Sequence, residues 1–305
     1  MTAMRVFTDF EGFNSVSPCA VALGFFDGVH VGHREVIRAA VENGIGLVPA
    51  VFTFFRHPVD CMGGSVELLT DLNERLKLFE SLGVEITVAA DFNLLRNLPA
   101  EDFFGQLVRR FHAQRVAFGY NYRFGTGGVG DTALLHGLCA RSGITALEIP
   151  PVCMDGEPVS SSRIRACLCE GDVGEAAKLL GRPVCVSGTV VQGKQLGHKL
   201  GFATVNQLLP PDTAALRRGV YASCCTVDGR QYRAVTNIGS RPTVLQTAEA
   251  AETHLIDYRG DLYGRELTVR LLKFLRPQRR FEDISQLSDA IAADVKSALA
   301  ADCGD

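Results

Sequence analysis

The chain lacks an excess of charge of either sign, a long apolar run and a leader-like N-terminus. Its 305 residues carry 31 Lys and Arg against 34 Asp and Glu, a net charge of −3, so it has no bulk attraction to nucleic acid or anionic membrane. No stretch approaches the ~18 apolar residues of a membrane span, and residues 1–10 do not resemble a signal peptide. We therefore expect a cytoplasmic protein that binds neither nucleic acid nor membrane; its oligomeric state stays open.

Two common sequence motifs are also missing. None of the ten cysteines has the two-residue spacer of a zinc knuckle, since Cys167 and Cys169 are two apart and Cys224 and Cys225 are adjacent. Reduced thiols that pack as small apolar side chains are the expectation. The Gly-Lys pair at 193–194 is followed by Gln, so the chain has no Gly-x-x-x-x-Gly-Lys-Ser/Thr loop and is not a P-loop kinase.

Length and hydrophobic pattern predict two domains. Up to about residue 180, short apolar runs alternate with amphipathic stretches, which is typical of a parallel sheet covered by helices. From Val184, β-branched alternating segments and an Asp228-Gly229 turn predict an antiparallel barrel, followed by a helix at Ile284–Leu299. The predicted fold is a Rossmann-like α/β domain over 1–183 and a β-barrel over 184–305 with a C-terminal helix.

In the first domain the apolar runs predict five strands, and the amphipathic stretches predict four helices. Asp71 followed by Glu74 is typical of a helix start, and Pro99 suits a first helical turn. The strands are Cys19–Leu23, Leu47–Phe54, Glu85–Ala89, Arg115–Phe118 and Thr145–Ile149. The helices are His33–Glu42, Asp71–Leu82, Pro99–Phe111 and Asp131–Arg141.

The segment Leu23–His33 reads Leu-Gly-Phe-Phe-Asp-Gly-Val-His-Val-Gly-His and lies where the first strand should end and the first helix begin. A helix start presents free N–H groups and positive potential to phosphate, and its glycines let a ligand approach the backbone. His30 and His33 are three apart, so both can face the same phosphates. The alternative is a pair of solvated histidines beside a structural turn.

This segment resembles the His-x-Gly-His motif of the nucleotidyltransferase superfamily. Its longer form, Gly-x-Phe-Asp-Gly-x-His-x-Gly-His, resembles the bacterial bifunctional riboflavin kinase/FAD synthetases, and Thr53–Pro58, Gly119–Gly125 and Ser160–Arg165 are similar to that family's next motifs in the same order. The resemblance implies an α/β nucleotidyltransferase domain that transfers an adenylyl group from ATP to FMN, giving FAD and pyrophosphate. The chain departs from the family pattern at two positions. Arg56 stands where the family usually has Pro, and the basic residue that the family usually has near position 128 is missing, since Gly128 stands there. The rate of adenylyl transfer and the fit of the flavin therefore stay open.

Adenylyl transfer to FMN needs positioning and charge stabilisation rather than a strong base, because the attacking phosphate is already an anion. We assign His30 and His33 to the triphosphate and Arg165 to the leaving phosphates. Arg165 is also compatible with an exposed ion pair, and for Asn121 both nucleotide and metal are open. The other predicted nucleotide contacts are Gly24, Phe26, Asp27, Gly28, Arg163 and, from a helix start, Ser161 or Ser162.

In the second half, Gly197–Asn206 resembles the same family's kinase motif, Gly-Arg-x-Leu-Gly-Phe-Pro-Thr-Ala-Asn, with His198 in place of Arg and Ala203 in place of Pro. The resemblance implies that Thr204 and Asn206 hold a magnesium nucleotide. Alternate residues of a strand face one side, so a hydroxyl and an amide oxygen lie together as the hard ligands that Mg²⁺ prefers.

Residues 219–222, 236–243 and 251–255 are similar to further kinase motifs. The resemblance implies that ATP phosphorylates riboflavin to FMN here, with Glu252 as the base for the flavin's terminal hydroxyl. Read alone, Glu252 is typical of a strand-surface charge. The other predicted nucleotide contacts are Gly193, Gly197, Lys199, Asn237 and Arg241, and simple turn geometry is an equal explanation for the two glycines. Phe274, Arg276 and Phe281 either border the flavin ring or dock the terminal helix.

The resemblance spans about residues 18 to 298 and implies both activities. The altered His198 and Ala203 leave open that only one of them is retained. A non-catalytic flavin- or nucleotide-binding regulator would bind tightly without turnover, but it has no need for both phosphate-binding cations and a base. An adenylyltransferase for pantetheine or nicotinate substrates would leave the barrel unexplained.

Overall fold

The computed structural model describes residues 3–42, 44, 46–191, 204–209, 213–242 and 247–303. The chain divides into two compact units, Met1–Ser161 and Ser162–Asp305. The division falls at the start of the helix Ser161–Glu170. The domain boundary expected near residue 183 stays a prediction.

The first unit is built on a six-stranded parallel sheet. Its strands are β1 Arg5–Phe7, β2 Cys19–Leu23, β3 Val48–Phe54, β4 Ile86–Ala90, β5 Ala113–Gly119 and β6 Thr145–Ile149, and a small hairpin follows with β7 Cys153–Met154 and β8 Glu157–Pro158. Its helices are α1 Val31–Val41, α2 Pro58–Cys61, α3 Leu72–Ser81, α4 Phe92–Leu95, α5 Ala100–Phe111 and α6 Thr132–Arg141. The strand order is β1-β4-β3-β2-β5-β6.

The central strand β2 is buried on both faces of this sheet. Its odd-numbered residues join an aromatic core cluster that contains Phe52 and Phe111, and its two alanines join a second cluster that contains Ile37 and Phe79. A near-continuous apolar strand is what a parallel sheet needs when helices cover both of its faces. The first unit is therefore a doubly wound α/β domain.

The strand order reverses direction at β2. The strands β3 and β4 lie on one side of β2, whereas β5 and β6 lie on the other. In parallel sheets, ligands bind outside the carboxyl ends of the strands at such a switch point. The segments that follow β2, β3 and β5 all leave from this edge, and they carry three of the four motifs of the first domain.

The second unit is built on an antiparallel sheet. Its elements are α7 Ser161–Glu170, α8 Val173–Leu180, β9 Val184–Thr189, β10 Thr204–Leu208, β11 Gly219–Val227, β12 Arg230–Pro242, β13 Thr247–Leu255, β14 Glu266–Arg276 and α9 Ile284–Ala300. The strand order is β10-β13-β12-β11-β14-β9, with all neighbours antiparallel. The edge strands meet because Val191 forms an antiparallel bridge with Asn206, and the sheet therefore curls into a barrel.

Polar side chains inside the barrel hold this closure together. The Gln207 amide nitrogen donates to the carbonyl oxygens of Gly188 at 2.9 Å and Leu267 at 2.7 Å, which ties β10 to β9 and β14. A second chain of hydroxyls, Ser223, Thr236 and Thr253, links β11, β12 and β13 with distances of 2.7 and 2.9 Å. The Gln207 nitrogen and the three hydroxyls are tolerated inside the barrel because they are hydrogen-bonded.

The predicted fold class is confirmed in both halves. Predicted helices begin one residue early where the N-cap was included, as at Asp71, whose carboxylate accepts the Glu74 N–H at 2.7 Å. The Asp228-Gly229 hairpin is also confirmed, with φ of 49° and 78° at the two residues. The edge strand β1 was not predicted, because three residues are too few to show a period.

Candidate active sites

The loop between β2 and α1 has an unusual backbone. Phe26 and Val29 adopt left-handed φ values of 59° and 41°, and Gly28 lies between them at 79°. For residues with a Cβ atom this conformation costs about 1–3 kcal/mol each, and it persists where the surroundings enforce it. Gly24 has no room for a side chain, because a Cβ there would lie 2.9 Å from the Phe26 ring. The loop is thus held in a strained shape at the sheet's switch point.

Asp27 anchors this loop to the segment before α3. Its carboxylate is buried and accepts the backbone N–H groups of Leu69 at 2.9 Å and Thr70 at 3.2 Å. The Gly28 N–H in turn donates to the Thr70 hydroxyl at 2.9 Å. The carboxylate therefore has a structural task that the sequence did not indicate, and a nucleotide contact from Asp27 stays a prediction.

His30 and His33 come together at the start of α1. The His30 Nδ1 accepts the His33 N–H at 3.2 Å and so caps the helix, and the two rings stack with centroids 3.6 Å apart. Burial, reinforced by the nearby His30 and Arg75, holds the pKa of His33 well below its usual value. The His33 Nδ1 is buried, and no group in the described part of the chain hydrogen-bonds to it. Two histidine side chains that meet at a helix start are suited to receiving an anion.

The motif after β3 packs against the same loop. The Thr53 hydroxyl is buried and donates to the Phe25 carbonyl oxygen at 3.0 Å. His57 caps the short helix α2 by accepting the Val59 N–H at 3.2 Å, and its ring meets the Phe25 ring edge-on at 4.5 Å. The second motif therefore supports the first from the side. Arg56, the residue that departs from the family pattern, is exposed in this segment.

A buried arginine lies beneath both motifs, and sequence reasoning missed it. Arg75 on α3 donates to the carbonyl oxygens of Phe25 at 2.7 Å and Phe54 at 3.2 Å and to the Thr53 hydroxyl at 3.2 Å. Its guanidinium lies over the Phe25 ring, 4.1 Å from the centroid. Only the hydrophobic pattern of α3 pointed to it, since position 75 lies on the inward face of that helix.

The third motif follows β5, next to the loop after β2. Asn121 is exposed just past the end of β5, with its Oδ1 3.5 Å from where a Cβ of Gly119 would lie. The chain then turns through Gly125, Gly127 and Gly128, all with positive φ. Gly125 is required because a Cβ there would lie 2.7 Å from Ala100. Asn121 lies at the same edge of the sheet as the His30 loop because β5 runs parallel to its neighbour β2.

The fourth motif begins within the first unit and continues in the second. Within the first unit, the Ser161 hydroxyl donates to the Asp27 carbonyl oxygen at 3.0 Å. Ser162, Arg163 and Arg165 belong to the second unit. There, Arg163 forms an ion pair with Glu175 at 3.0 Å. Phosphate contacts from these three residues stay predictions.

In the barrel, the predicted magnesium and base residues lie on one face of neighbouring strands. Asn206 of β10 is directly opposite Glu252 of β13, and Glu252 is directly opposite Asn237 of β12. Thr204 lies two residues before Asn206, and its hydroxyl donates to the Glu252 carboxylate at 3.3 Å. Cross-strand partners share a face of the sheet, so the structure brings Thr204, Asn206, Asn237 and Glu252 together.

Gln278 joins this group, although the sequence indicated no role for it. Its amide nitrogen donates to the Asn237 Oδ1 at 3.0 Å. A Cβ at Gly239 would lie 2.2 Å from that same nitrogen, so the glycine leaves the space in which Gln278 reaches Asn237. The signal that could have found Gln278 is its place within the span of about residues 18 to 298 that resembles the family.

Arg276 docks the terminal helix. Its guanidinium makes two contacts with the Asp294 carboxylate of α9, Nε to Oδ1 at 3.0 Å and Nη2 to Oδ2 at 2.7 Å. Phe274 packs on the Tyr221 ring, and the Arg217 guanidinium lies 4.3 Å from its centroid. Of the two roles considered for Arg276, the structure shows the docking of the terminal helix. Phe281 lies beside it, 5.6 Å from its guanidinium.

Several predicted kinase residues lie outside the described part of the chain. Gly193, Gly197 and Lys199 fall in the gap between 191 and 204, as do His198 and Ala203. Arg241 lies at the end of β12, paired with Ala248 in the backbone register. Roles for Gly193, Gly197, Lys199 and Arg241 stay predictions.

Comparison with known proteins places both halves of the chain. A family model described as FAD synthetase matches residues 13–163, and one described as riboflavin kinase matches residues 180–301. The bifunctional riboflavin kinase/FMN adenylyltransferase of Bacillus subtilis is 32% identical and covers 92% of this chain and 91% of its own length. The Pseudomonas fluorescens protein of the same name is 35% identical, with 95% and 96% covered. The chain belongs to the bifunctional riboflavin kinase/FMN adenylyltransferase family.

Membership of this family accounts for the two sites described above. The FAD synthetase domain contains the loop with His30, and the riboflavin kinase domain contains the group formed by Thr204, Asn206, Asn237 and Glu252. ATP, riboflavin, FMN and FAD are the substrates and products that fit these two domains. The resemblance inferred from the motifs is thereby confirmed, and so is the prediction of an enzyme with both kinds of transferase domain.

Solved structures include one that is similar over nearly the whole chain. The crystal structure of the macrolide-efflux protein from Streptococcus pneumoniae matches with a TM-score of 0.88 and 28% identity, covering 97% of this chain and 98% of that one. In the ranges that the structure describes here, no helix combines the length and apolarity needed to cross a bilayer.

Proposed function

We propose that the barrel of this chain phosphorylates riboflavin with ATP to give FMN, and that the α/β unit adenylylates FMN with a second ATP to give FAD and pyrophosphate. The observation that carries the proposal is the pairing of two sites on one chain. A stacked histidine pair lies at a helix start in the first unit, and a Thr204–Asn206–Glu252 group lies in the second.

In the kinase step, the terminal hydroxyl oxygen of riboflavin attacks the γ-phosphorus of ATP. The bond from that phosphorus to the β–γ bridging oxygen breaks, ADP leaves and the hydroxyl proton passes to Glu252. The Glu252 carboxylate already accepts a hydroxyl hydrogen bond from Thr204 at 3.3 Å. This contact supports its assignment as the acceptor for the substrate hydroxyl.

The oxygens beside Glu252 fit a magnesium ion. The Thr204 hydroxyl and the Asn206 amide supply two hard, neutral donors on one face of β10, and Mg²⁺ bound with a nucleotide usually takes few protein ligands and several phosphate oxygens. When bound, Mg²⁺ would neutralise charge on the transferring phosphates. Among the described residues, no group of three or more His, Cys, Asp or Glu is arranged to hold a metal without a nucleotide.

In the adenylyl step, a phosphate oxygen of FMN attacks the α-phosphorus of ATP, and pyrophosphate leaves. No proton needs to be removed, so the chain's task is to align the two anions and stabilise the charge that develops. His30 and His33 lie at the start of α1, where both side chains are placed to bind the triphosphate. Ser161, Ser162 and Arg165 are proposed to bind the leaving phosphates, and Asn121 the nucleotide.

The test is chromatography of flavins after incubating the full chain with ATP and Mg²⁺, once with riboflavin and once with FMN. FAD from both substrates is the expected result. FMN without FAD would leave only the kinase, FAD from FMN alone would implicate the altered kinase motif, and no product would favour the binding regulator.

Domain-selective variants sharpen this test. Glu252→Ala should abolish FMN formation while FAD formation from FMN continues, and His30→Ala should do the reverse. The matched control for Glu252→Ala is Glu249→Ala, which removes another carboxylate of β13, one that is paired with Arg218. The matched control for His30→Ala is His136→Ala, which removes an exposed histidine of the first unit. Loss of both activities in either site variant would contradict the assignment of separate sites.

We also propose a reducing, cytoplasmic compartment and a domain boundary near residue 183. All ten cysteines are free thiols, which supports the first of these. Cell fractionation would test it. Separate expression of residues 1–183 and 184–305 would test the boundary, because each fragment should then fold and keep its own activity.

A further inference from the structure

Arg75 makes three hydrogen bonds beneath the adenylyl site, and it lies outside the motifs that resemble the family. We propose that Arg75 is a positioning residue, whose guanidinium fastens the loop after β2 to the segment after β3 and thereby fixes where the histidine pair meets phosphate. This inference rests on the proposed adenylyl transfer.

The Arg75 guanidinium hydrogen-bonds to two loops at once. One guanidinium nitrogen, Nη1, reaches the Phe25 carbonyl oxygen at 2.7 Å and the Thr53 hydroxyl at 3.2 Å, and the other, Nη2, reaches the Phe54 carbonyl oxygen at 3.2 Å. Thr53 closes the set by donating to the same Phe25 oxygen. Phe25 immediately precedes Phe26, the first residue of the loop with a left-handed φ. The hydrogen bonds of Arg75 therefore hold the backbone next to that residue.

The charge of Arg75 is not neutralised by a direct ion pair. Its side chain is fully buried, its polar partners are neutral oxygens, and no carboxylate in the described part of the chain lies within ion-pair distance of it. Burial lowers the pKa of Arg75 to about 10, and the more distant Asp27 and Asp71 oppose that shift. The residue therefore remains a buried cation at neutral pH. A buried cation held only by neutral groups is costly, and such an arrangement is typical of functional sites.

This cation acts on the histidine pair. The pKa of His33 is held low first by its own burial and then by the charges of His30 and Arg75. Arg75 is a cation, and Asp27 and Asp71 are the carboxylates that face it. His33 is therefore neutral before substrate binds. An incoming triphosphate would bring negative charge towards the Arg75 cation, and the buried His33 Nδ1 has no hydrogen-bond partner among the described residues.

Two substitutions distinguish the effect of the positive charge of Arg75 from the effect of its two hydrogen-bonding nitrogens. Arg75→Lys keeps the positive charge but loses the planar pair of donors, whereas Arg75→Gln keeps an amide donor but removes the charge. Lys77→Gln is the matched control, since it removes a positive charge from an exposed position on the same helix.

The experiment combines proton NMR titration of histidine Cε1 signals with both flavin assays on the full chain. His33 is assigned from the signal lost in His33→Gln. In the unmodified protein, His33 should titrate well below pH 6.5. Arg75→Gln should move that titration upward and lower the turnover of FMN to FAD at least tenfold. Arg75→Lys should leave the titration low and lose less turnover.

Riboflavin phosphorylation on the same chain serves as an internal reference and should stay within twofold in all three variants. Equal titration and turnover in Arg75→Gln and Lys77→Gln would overturn the proposal, and if Arg75→Gln failed to fold, undiminished FAD turnover in Arg75→Lys would overturn it. If the unmodified protein makes no FAD, the proposed function fails, but the titrations still decide whether Arg75 controls His33.

Discussion

Acidification should destabilise the α/β unit in part through His33. The pKa of this histidine is well below 6.5 in the folded chain, because its ring is buried beside His30 and Arg75. In the unfolded chain the ring has an ordinary pKa of about 6.5. The unfolded state therefore takes up a proton as the pH falls below about 6.5, while the folded state does not until its own lower pKa is reached. The contribution of His33 to the free energy of unfolding is therefore fully present above about pH 6.5, and it is lost as the pH falls from there towards the lower pKa of the folded state.

The size of the effect follows from proton linkage. If His33 stays neutral in the folded state throughout, lowering the pH from 7 to 5 reduces the free energy of unfolding by about 2 kcal/mol at most. Other titrating groups contribute too, so the quantity to measure is the difference between the unmodified protein and His33→Gln. The pH-dependent loss should be smaller by about 2 kcal/mol in His33→Gln.

Native-state hydrogen exchange of the amides in β2 and β5 measures this unit within the full chain. Amides of β11 and β12 report the barrel and should show no difference between the two proteins. The control variant His136→Gln removes an exposed histidine of the same unit and should not reproduce the gain at pH 5. An equal pH-dependent loss in His33→Gln and the unmodified protein would refute the argument that burial keeps this ring neutral.

Two further predictions concern the barrel. Asp294→Ala should destabilise it by about 3 kcal/mol, because Arg276 would be left mostly buried without its carboxylate; exchange of β11 amides measures this, and unchanged protection would contradict it. Gly239→Ala should push Gln278 away from Asn237. Riboflavin turnover should fall while FAD formation from FMN stays constant, and an unaltered riboflavin kcat/KM would show that Gln278 has no positioning role.

The sequence alone was sufficient for the local features of both domains. Helix starts such as Asp71 and the Asp228-Gly229 hairpin follow from short-range chemistry, because a cap or a tight turn is decided by residues within a few positions of one another. The order of the motifs along the chain identified the family. The apolar β2 and the alternating barrel strands indicated the two fold classes, because burial on one face or two leaves a different period.

Tertiary structure decided which distant residues meet. Glu252 faces Asn206 and Thr204 only because β10 pairs with β13 in one register, and a shift by one residue would turn these side chains to the other face. Arg75 reaches Phe25 and Phe54 because α3 packs beneath two loops that follow neighbouring strands. No local pattern encodes such contacts, since they depend on how elements far apart in the chain share the burial of their apolar faces.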